Sequence, residues 1–332
     1  MRAARAHDYG GPEVLSVDEV EVPEPGSGEV RVRVHASSVN PVDAKIRSGA
    51  QRAIIRYTLP RTLGLDLSGV IDALGPGVDR FRVGDEVWGS PSHTAGGCYA
   101  EYAVVPAAQL GLKPPSLTHA EAAALPLVAL TAWEALVVKA KLGIKERALV
   151  HAGAGGVGHV AIQIAKSLGA EVITTCSTRN VAFVTEMGAD RVIDYTQADY
   201  DAVLEGIDVA LDALGGEHRA RTLSVMRRGG RMACIVGDIP RFVERHGPTL
   251  GLTCAVSDMA RFVLRARLSH GVKVSQVVRS PSGRLMDELA QLVHTGQLRP
   301  EIEAELPLDD IAEAHRRIET GRTRGKLVIR LD

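Results

Sequence analysis

The sequence predicts an α/β protein in which an antiparallel, barrel-like unit accompanies a doubly wound parallel sheet. Two observations support this fold class. The first 120 residues contain short strands between closely spaced turns, whereas residues 148–237 alternate apolar strands with helices. At 332 residues the chain is long enough for two domains.

The N-terminal strands follow from a period of two. Val30, Val32 and Val34 alternate with charged or polar residues, which is typical of a strand with one buried face. Turn residues rich in Gly, Pro and Asp occupy 23–29, 75–79 and 83–89. Short strands between such turns favour an antiparallel barrel-like unit.

The middle of the chain has the pattern of a parallel sheet covered on both faces. Predicted strands occupy 148–153, 171–177, 191–195, 207–214 and 231–237. Predicted helices include 121–141, interrupted at Pro126, together with 157–168 and 180–187. We expect two further edge strands at 252–256 and 272–278, flanking a helix at 258–268. A solvent-exposed helix at 284–295 follows.

The last segment is polar and rich in turns, and it ends in a short strand. We expect it to pack on the N-terminal unit, because its pattern differs from that of the parallel sheet. The predicted domains are therefore 1–121 with 281–332 for the barrel-like unit, and 122–280 for the inserted parallel sheet.

Composition excludes several classes of function. The net charge of −1 gives no electrostatic basis for nucleic-acid binding. The four cysteines show no CxxC spacing, so we expect reduced thiols and no structural zinc. The N-terminus lacks the apolar core of a signal peptide, and the longest uncharged apolar run, 122–133, is too short to span a membrane. We therefore expect a cytoplasmic protein.

A glycine-rich turn at 153–158 matches G-x-G-x-x-G directly after a predicted strand and before a predicted helix. In this context Gly153 permits the sharp turn, Gly155 lets the backbone approach a pyrophosphate, and Gly158 lets the helix lie close to the strand. The helix N-terminus would attract the phosphates. The residues expected to bind the dinucleotide through this turn are Gly153, Ala154, Gly155, Gly156, Val157 and Gly158.

The end of the second strand of this sheet predicts which dinucleotide binds. An NAD site places an acidic residue about 20 positions after the turn, and this window holds Ser177 and Arg179 instead. A hydroxyl and a guanidinium suit a 2′-phosphate, so NADPH is preferred over NADH. Tyr195 ends the third strand and is expected near the adenine or its phosphate.

Six segments occur in a characteristic order along the chain: ASSVNPVDAKIRSG at 36–49, LGLDLSGVI at 63–71, GDEVWG at 84–89, LPLVALTAWEAL at 125–136, AGAGGVG at 152–158 and GKLVI at 325–329. In this order they resemble the medium-chain dehydrogenases/reductases over nearly the whole chain. Within that family the sequence is similar to the zinc-independent quinone oxidoreductases, the zeta-crystallin-like group. The stretches TTCSTRN at 174–180 and MGADRVIDY at 187–195 most resemble the reticulon-interacting NADPH oxidoreductases. The resemblance implies a GroES-like catalytic domain and a Rossmann domain.

The resemblance also implies the absence of a catalytic metal. Where zinc alcohol dehydrogenases carry Cys, a His-Glu pair and a later Cys, this sequence has Asn40, Leu65-Asp66 and approximately Leu127. Leucine cannot bind zinc and asparagine binds it poorly. Without a Lewis acid, simple alcohol oxidation is disfavoured, whereas quinones and α,β-unsaturated carbonyls stabilise the incoming charge themselves.

The family pattern assigns roles to further residues. Asn40 is the candidate catalytic residue on the substrate side of the nicotinamide, where its amide would donate to a carbonyl or hold the ring. Thr131, at a predicted helix start, would lie under the nicotinamide, Leu214 near the ribose, and Val236 and Gly237 at the carboxamide. The remaining assignments are Lys326 as a phosphate contact, and Tyr57, His93 and Tyr99 as lining of the acceptor pocket.

Together these residues predict an NADPH-dependent reductase of a small-molecule quinone or enone. One alternative is an enoyl-thioester reductase, for which Arg47, Arg52, Arg56 and Arg61 would supply a basic rim. Another is a non-catalytic NADPH-binding structural or regulatory protein. We also expect a homodimer through 272–278, because an exposed apolar edge strand favours sheet extension across a two-fold axis.

Overall fold

The computed structural model describes residues 1–95 and 97–331. Gly96 and Asp332, which fall within the predicted domain ranges, lie outside the described residues. The contacts divide the chain into unit 1, residues 1–130 with 280–331, and unit 2, residues 131–279. The sequence placed the first boundary at 121/122, whereas the contacts place it at 130/131, inside a helix.

The strands and helices are numbered in chain order. The strands are β1 Arg2–Ala6, β2 Leu15–Glu19, β3 Glu29–Val39, β4 Arg61–Thr62, β5 Leu67–Leu74, β6 Glu86–Gly89, β7 Tyr102–Pro106, β8 Leu110–Leu112, β9 Arg147–Val150, β10 Glu171–Cys176, β11 Arg191–Asp194, β12 Ile207–Asp212, β13 Met226–Cys234, β14 Lys273–Gln276, β15 Ile302–Pro307 and β16 Lys326–Arg330. The helices are α1 Pro41–Arg47, α2 His119–Ala123, α3 Pro126–Trp133, α4 Gly156–Ser167, α5 Val181–Glu186, α6 Tyr200–Val203, α7 His218–Val225, α8 Ile239–His246, α9 Pro248–Arg265, α10 Gly283–His294 and α11 Ile311–Glu319. Turns of π-helix at Glu134–Lys139 and Ala266–His270 continue α3 and α9.

Unit 1 is built around the long strand β3. Val30, Val32 and Val34 are buried, which confirms the alternation predicted for this strand. The strand order is β15-β16-β3-β5-β6-β8, with β7 also paired to β3, and a smaller sheet has the order β2-β1-β4. The C-terminal strand β16 pairs antiparallel with β3, from Leu327 opposite Val39 to Arg330 opposite Ala36. The end of the chain therefore packs on the N-terminal unit, as predicted, and it does so by adding a strand to the sheet that contains β3.

Unit 2 is the predicted parallel sheet, in the order β11-β10-β9-β12-β13-β14. The order reverses beside β9, and in such sheets ligands bind at the carboxyl ends of the strands at this point. A buried cluster that includes Leu149, Ile173, Ala210, Met232 and Val274 holds the strands against the helices. The fold class predicted from the sequence is confirmed.

Two predictions in the last third of the chain are wrong. Residues 252–256, predicted as an edge strand, lie inside α9. This helix begins with a proline at its first turn and continues to Gly271, so the helical context outweighs the local strand propensity of the apolar run. The helix at 284–295 is not solvent-exposed all round, because Met286 and Leu289 are fully buried.

The polar segment after residue 300 is more regular than its composition indicated, since it contains β15 and α11 before β16. The strand expected at 272–278 is present as β14, and it stands at the end of the strand order. In the described residues, no helix combines the length and apolar character needed to cross a membrane.

Candidate active site

The glycine-rich turn of unit 2 connects β9 to α4. A Cβ at Gly153 would lie 2.0 Å from Oγ1 of Thr174, and a Cβ at Gly158 would lie 2.1 Å from the carbonyl oxygen of Ala152. Only glycine fits at both positions. Gly155 is the N-cap of α4 and provides no side-chain cap, so the first amides of the helix have no partner there. A tightly packed turn with uncapped helix amides fits a dinucleotide pyrophosphate, and Ala154, Gly156 and Val157 complete this turn.

The neighbouring strand ends carry polar groups. Ser177 follows the last residue of β10, and Arg179 lies in the short turn after it. Asp194, at the end of β11, accepts a hydrogen bond of 2.6 Å from the hydroxyl of Thr178, which lowers the pKa of this carboxyl. Tyr195 is 61% exposed. Ser177 and Arg179, the residues expected to contact a 2′-phosphate, therefore both follow the carboxyl end of β10.

The ends of β12 and β13 are joined by Arg219, a residue that the sequence reasoning missed. Its guanidinium donates to Asp212 at 3.1 Å, to the carbonyl of Val236 at 2.6 Å and to Asp238 at 2.5 Å. This buried bridge fixes the two loops that carry the expected nicotinamide residues. A buried Asp at a strand end followed by an Arg seven residues later is the pattern that would have indicated it.

The residues expected on these loops differ in exposure. Leu214 is 42% exposed, and its amide donates to Asp212 at 3.0 Å. A Cβ at Gly237 would meet nothing within 4 Å.

Thr131 lies inside α3 and not at a helix start, because α3 begins at Pro126.

In unit 1, Asp66 is the centre of a buried hydrogen-bond cluster. Its Oδ2 accepts from the hydroxyl of Ser38 at 2.7 Å and from Nδ2 of Asn40 at 2.8 Å. Its Oδ1 accepts from the backbone amide of Leu127 at 2.7 Å, at the start of α3. Nζ of Lys326 lies 3.8 Å from Oδ2. Asn40, Asp66 and Lys326 are each at most 2% exposed.

The same cluster contains Asn40 and Lys326, which were expected to contact the substrate and a phosphate. Nζ of Lys326 donates to Oδ1 of Asn40 at 2.5 Å and to the carbonyl of Val39 at 3.1 Å. Such a buried ammonium does not fit a phosphate contact. Nδ2 of Asn40 donates to Asp66 and to the carbonyl of Ser38, so both of its protons are used within the protein. Asn40 therefore acts as a bridge and has no amide proton left for a substrate carbonyl.

The same residues exclude the zinc site that this fold carries in other enzymes. Asn40, Asp66 and Leu127 do converge, as the family pattern implies. However, both carboxylate oxygens of Asp66 accept hydrogen bonds, the amide oxygen of Asn40 accepts from a lysine, and Leu65 and Leu127 offer no side-chain donor atom. The ammonium group of Lys326 supplies the positive charge beside the carboxylate of Asp66, so this set of side chains does not fit zinc.

Asp43 lies beside the cluster and is buried as well. Its Oδ2 accepts from the amide of Asn40 at 2.9 Å and from the hydroxyl of Tyr99 at 3.0 Å, whereas Oδ1 has no hydrogen-bond partner in the described part of the chain. Burial, together with the nearby negative charge of Asp66, raises the pKa of Asp43 to about 7. Tyr99 is fully buried and donates to Asp43, so it supports the cluster and does not line an acceptor pocket.

Tyr57 and His93, the other expected pocket residues, are held together by Arg61. The Arg61 guanidinium lies 4.6 Å from the centre of the Tyr57 ring and donates to the carbonyl of His93 at 2.7 Å. Arg47 is buried and paired with Glu319, so it adds nothing to a basic rim.

Comparisons with known proteins agree with this architecture. Residues 26–115 match the family of alcohol dehydrogenase GroES-like domains, and residues 187–329 match the family of zinc-binding dehydrogenases. The chain is 35% identical over 322 residues to the mitochondrial NAD(P)H oxidoreductase RTN4IP1 of Mus musculus, covering 91% of this chain and 81% of the relative.

Solved structures give the same result. The quinone oxidoreductase from Coxiella burnetii superimposes with a TM-score of 0.87 at 31% identity, covering 100% of this chain and 99% of the other. The quinone oxidoreductase of Escherichia coli in complex with NADPH gives a TM-score of 0.83 at 26% identity, covering 99% and 100%. The chain therefore belongs to the quinone oxidoreductase group of the medium-chain dehydrogenases/reductases and is an oxidoreductase.

Proposed function

We propose that this protein is a metal-independent, NADPH-dependent reductase that transfers a hydride to a quinone or a related α,β-unsaturated carbonyl. The observation that supports this most is that Asn40 and Asp66, at two of the positions where zinc alcohol dehydrogenases carry ligands, form a closed cluster with Lys326. Since no metal would polarise the acceptor, the acceptor itself has to stabilise the charge that it receives. Quinones and enones have this property, and simple aldehydes do not.

The residues of unit 2 would hold the cofactor. The turn at 153–158 binds the pyrophosphate through backbone amides, and Ser177 and Arg179 contact the 2′-phosphate. Arg219 keeps the loop residues Val236 and Gly237 in position. Bound NADPH supplies the hydride.

The residues of unit 1 keep their buried charges balanced. The carboxylate of Asp66 is paired with the ammonium of Lys326, and the pKa of Asp43, raised to about 7 by burial, favours its neutral form below that pH. A neutral cluster is less costly to bury than one with a surplus negative charge. This balance fixes the turn that begins at Asn40 without a metal ion.

The test is a turnover assay on purified protein dialysed against a chelator, with NADPH or NADH and with 1,4-benzoquinone, an enone or a primary alcohol. We expect chelator-resistant oxidation of NADPH by benzoquinone, weaker oxidation of NADH, and no alcohol oxidation. Loss of activity on chelation, or equal use of NADH, would contradict the proposal.

The enoyl-thioester alternative keeps a basis in Arg52 and Arg56, which are both exposed. Faster turnover with crotonyl-CoA than with benzoquinone would establish it. Tight NADPH binding without turnover of any acceptor would instead indicate a non-catalytic role.

We further propose a cytoplasmic homodimer joined through β14. This strand stands at the end of the sheet order, and Val278 beside it is 71% exposed. Light scattering at micromolar concentration tests the dimer, and a monomer there would contradict it. Fractionation of the source cells tests the compartment, and recovery with an organelle would contradict the cytoplasmic assignment.

A further inference from the structure

Unit 2 contains a groove of about 570 Å³ between α7, α8 and α9. Gly216, which follows β12, and Asp238, which follows β13, are among the residues that line it. The groove therefore lies at the carboxyl edge of the parallel sheet, at the ends of the first and second strands beyond β9, the strand that leads into the phosphate-binding turn. Its volume is within the range of small-molecule binding sites.

Arginines dominate the wall of this groove. Arg241 and Arg245 lie one turn apart on α8, and Arg261 and Arg265 lie one turn apart on α9. All four are exposed, and none of them forms an ion pair within the described residues. Like charges one turn apart on a helix repel each other, so this arrangement reduces the stability of the free protein.

The carboxylates that line the groove do not neutralise the positive charge of its arginines. Asp238 is engaged by Arg219, which also pairs with Asp212. Asp258 is the remaining acid among the described lining residues. An excess of guanidinium groups in one concave site favours the binding of a multiply charged anion, because each guanidinium can donate two parallel hydrogen bonds to phosphate oxygens.

The groove also has an apolar component. Phe242 and Phe262 line the groove together with the arginines, and both side chains are partly buried. A groove that offers aromatic rings as well as guanidinium groups favours an anion that carries a planar organic group over inorganic phosphate. We propose that this groove is a second ligand site, which binds a soluble organic phosphate of the nucleotide type while NADPH occupies the glycine-rich turn.

The probe for the test is adenosine 3′,5′-bisphosphate, titrated calorimetrically into the full chain saturated with NADPH. We expect one molecule to bind per chain, and adenosine, which lacks the phosphates, not to bind. The double variant Arg261→Gln/Arg265→Gln should weaken binding by roughly tenfold or more, because it removes two charge-assisted partners. Asp258→Asn should strengthen binding roughly two- to fivefold by removing a repelling charge.

The matched control is Arg267→Gln, because Arg267 is exposed, lies directly after α9 and does not line the groove. It should change the affinity by less than about twofold. Absence of binding to the wild-type chain, or an equal loss in the control, would overturn the proposal. If the double variant lost as much affinity for NADPH as for adenosine bisphosphate, the groove would belong to the cofactor site, and the proposal would also be overturned.

Membrane lipids carry phosphate esters too, and a separate arm distinguishes them. Vesicles containing phosphatidic acid should not retain the protein when adenosine bisphosphate binds in solution. Retention by these vesicles without binding of the nucleotide would refute a soluble ligand. Asp258→Asn should raise the affinity for adenosine bisphosphate, whereas the double variant should lower it. A general loss of folding would lower the affinity in both variants, so it would not produce this result.

Discussion

The buried carboxyl of Asp43 predicts an unusual dependence of stability on pH. Its ordinary pKa is 3.8, and in the folded protein the pKa is about 7 because the group is buried close to Asp66. Between these two values the folded chain holds a proton at Asp43 that the unfolded chain has lost. Stability from this group is therefore fully present below pH 3.8 and is lost as the pH rises through 7.

The magnitude follows from the linkage relation. Each pH unit in this interval lowers the free energy of unfolding by about 1.4 kcal/mol, so raising the pH from 5 to 8 removes about 3 kcal/mol. His151 and His315 act in the opposite direction, because burial lowers their pKa values to about 4 and about 3. The wild-type profile alone therefore does not isolate Asp43.

The assay compares wild type with Asp43→Asn by urea unfolding at several pH values between 5 and 8. The histidine contributions cancel when the free energy of unfolding of the variant is subtracted from that of the wild type. This difference should therefore fall by about 3 kcal/mol between pH 5 and 8. The exposed Asp79→Asn variant is the control and should give a difference that does not change with pH. A constant difference for Asp43→Asn would refute the raised pKa and the account of the cluster.

Three further predictions concern the two units. Gly237→Ala should leave the melting temperature unchanged, because a Cβ there has open space, but should weaken NADPH binding in calorimetry if the carboxamide approaches this backbone. Arg179→Ala should raise the dissociation constant for NADPH about tenfold and leave that for NADH within about twofold; equal effects would contradict a 2′-phosphate contact. Lys326→Met should destabilise the chain by about 3–5 kcal/mol in urea unfolding by leaving Asp66 buried without a counter-ion, and Lys326→Met/Asp66→Asn should recover part of this loss; no recovery would contradict the pairing.

Local patterns were sufficient to predict much of the fold. The alternation in β3 and the apolar face of α4 are properties of neighbouring residues. The helix formed near its predicted limits, whereas β3 extends beyond the alternating residues to Val39. Residues 252–256 have the composition of a strand, yet their helix is determined by the proline before them and by packing against α8, which no short window contains.

The site was less accessible to sequence reasoning for a similar physical reason. The glycine spacing at 153–158 is local, so its turn could be predicted. The partner of Asp66 is Lys326, and only the pairing of β16 with β3 brings them together. The sequence did not indicate that the Asn40 side chain is engaged within the protein, because its partners Asp66 and Lys326 are distant in sequence.

The pairing of β16 with β3 also has a consequence for biosynthesis. Asp66 leaves the ribosome about 260 residues before Lys326, which corresponds to roughly 13–50 s of translation. All of unit 2 is synthesised in this interval and can fold first. Until the lysine arrives, burying Asp66 would carry the cost of an unbalanced charge, so the nascent barrel has an electrostatic reason to stay open and to close only after its last strand emerges.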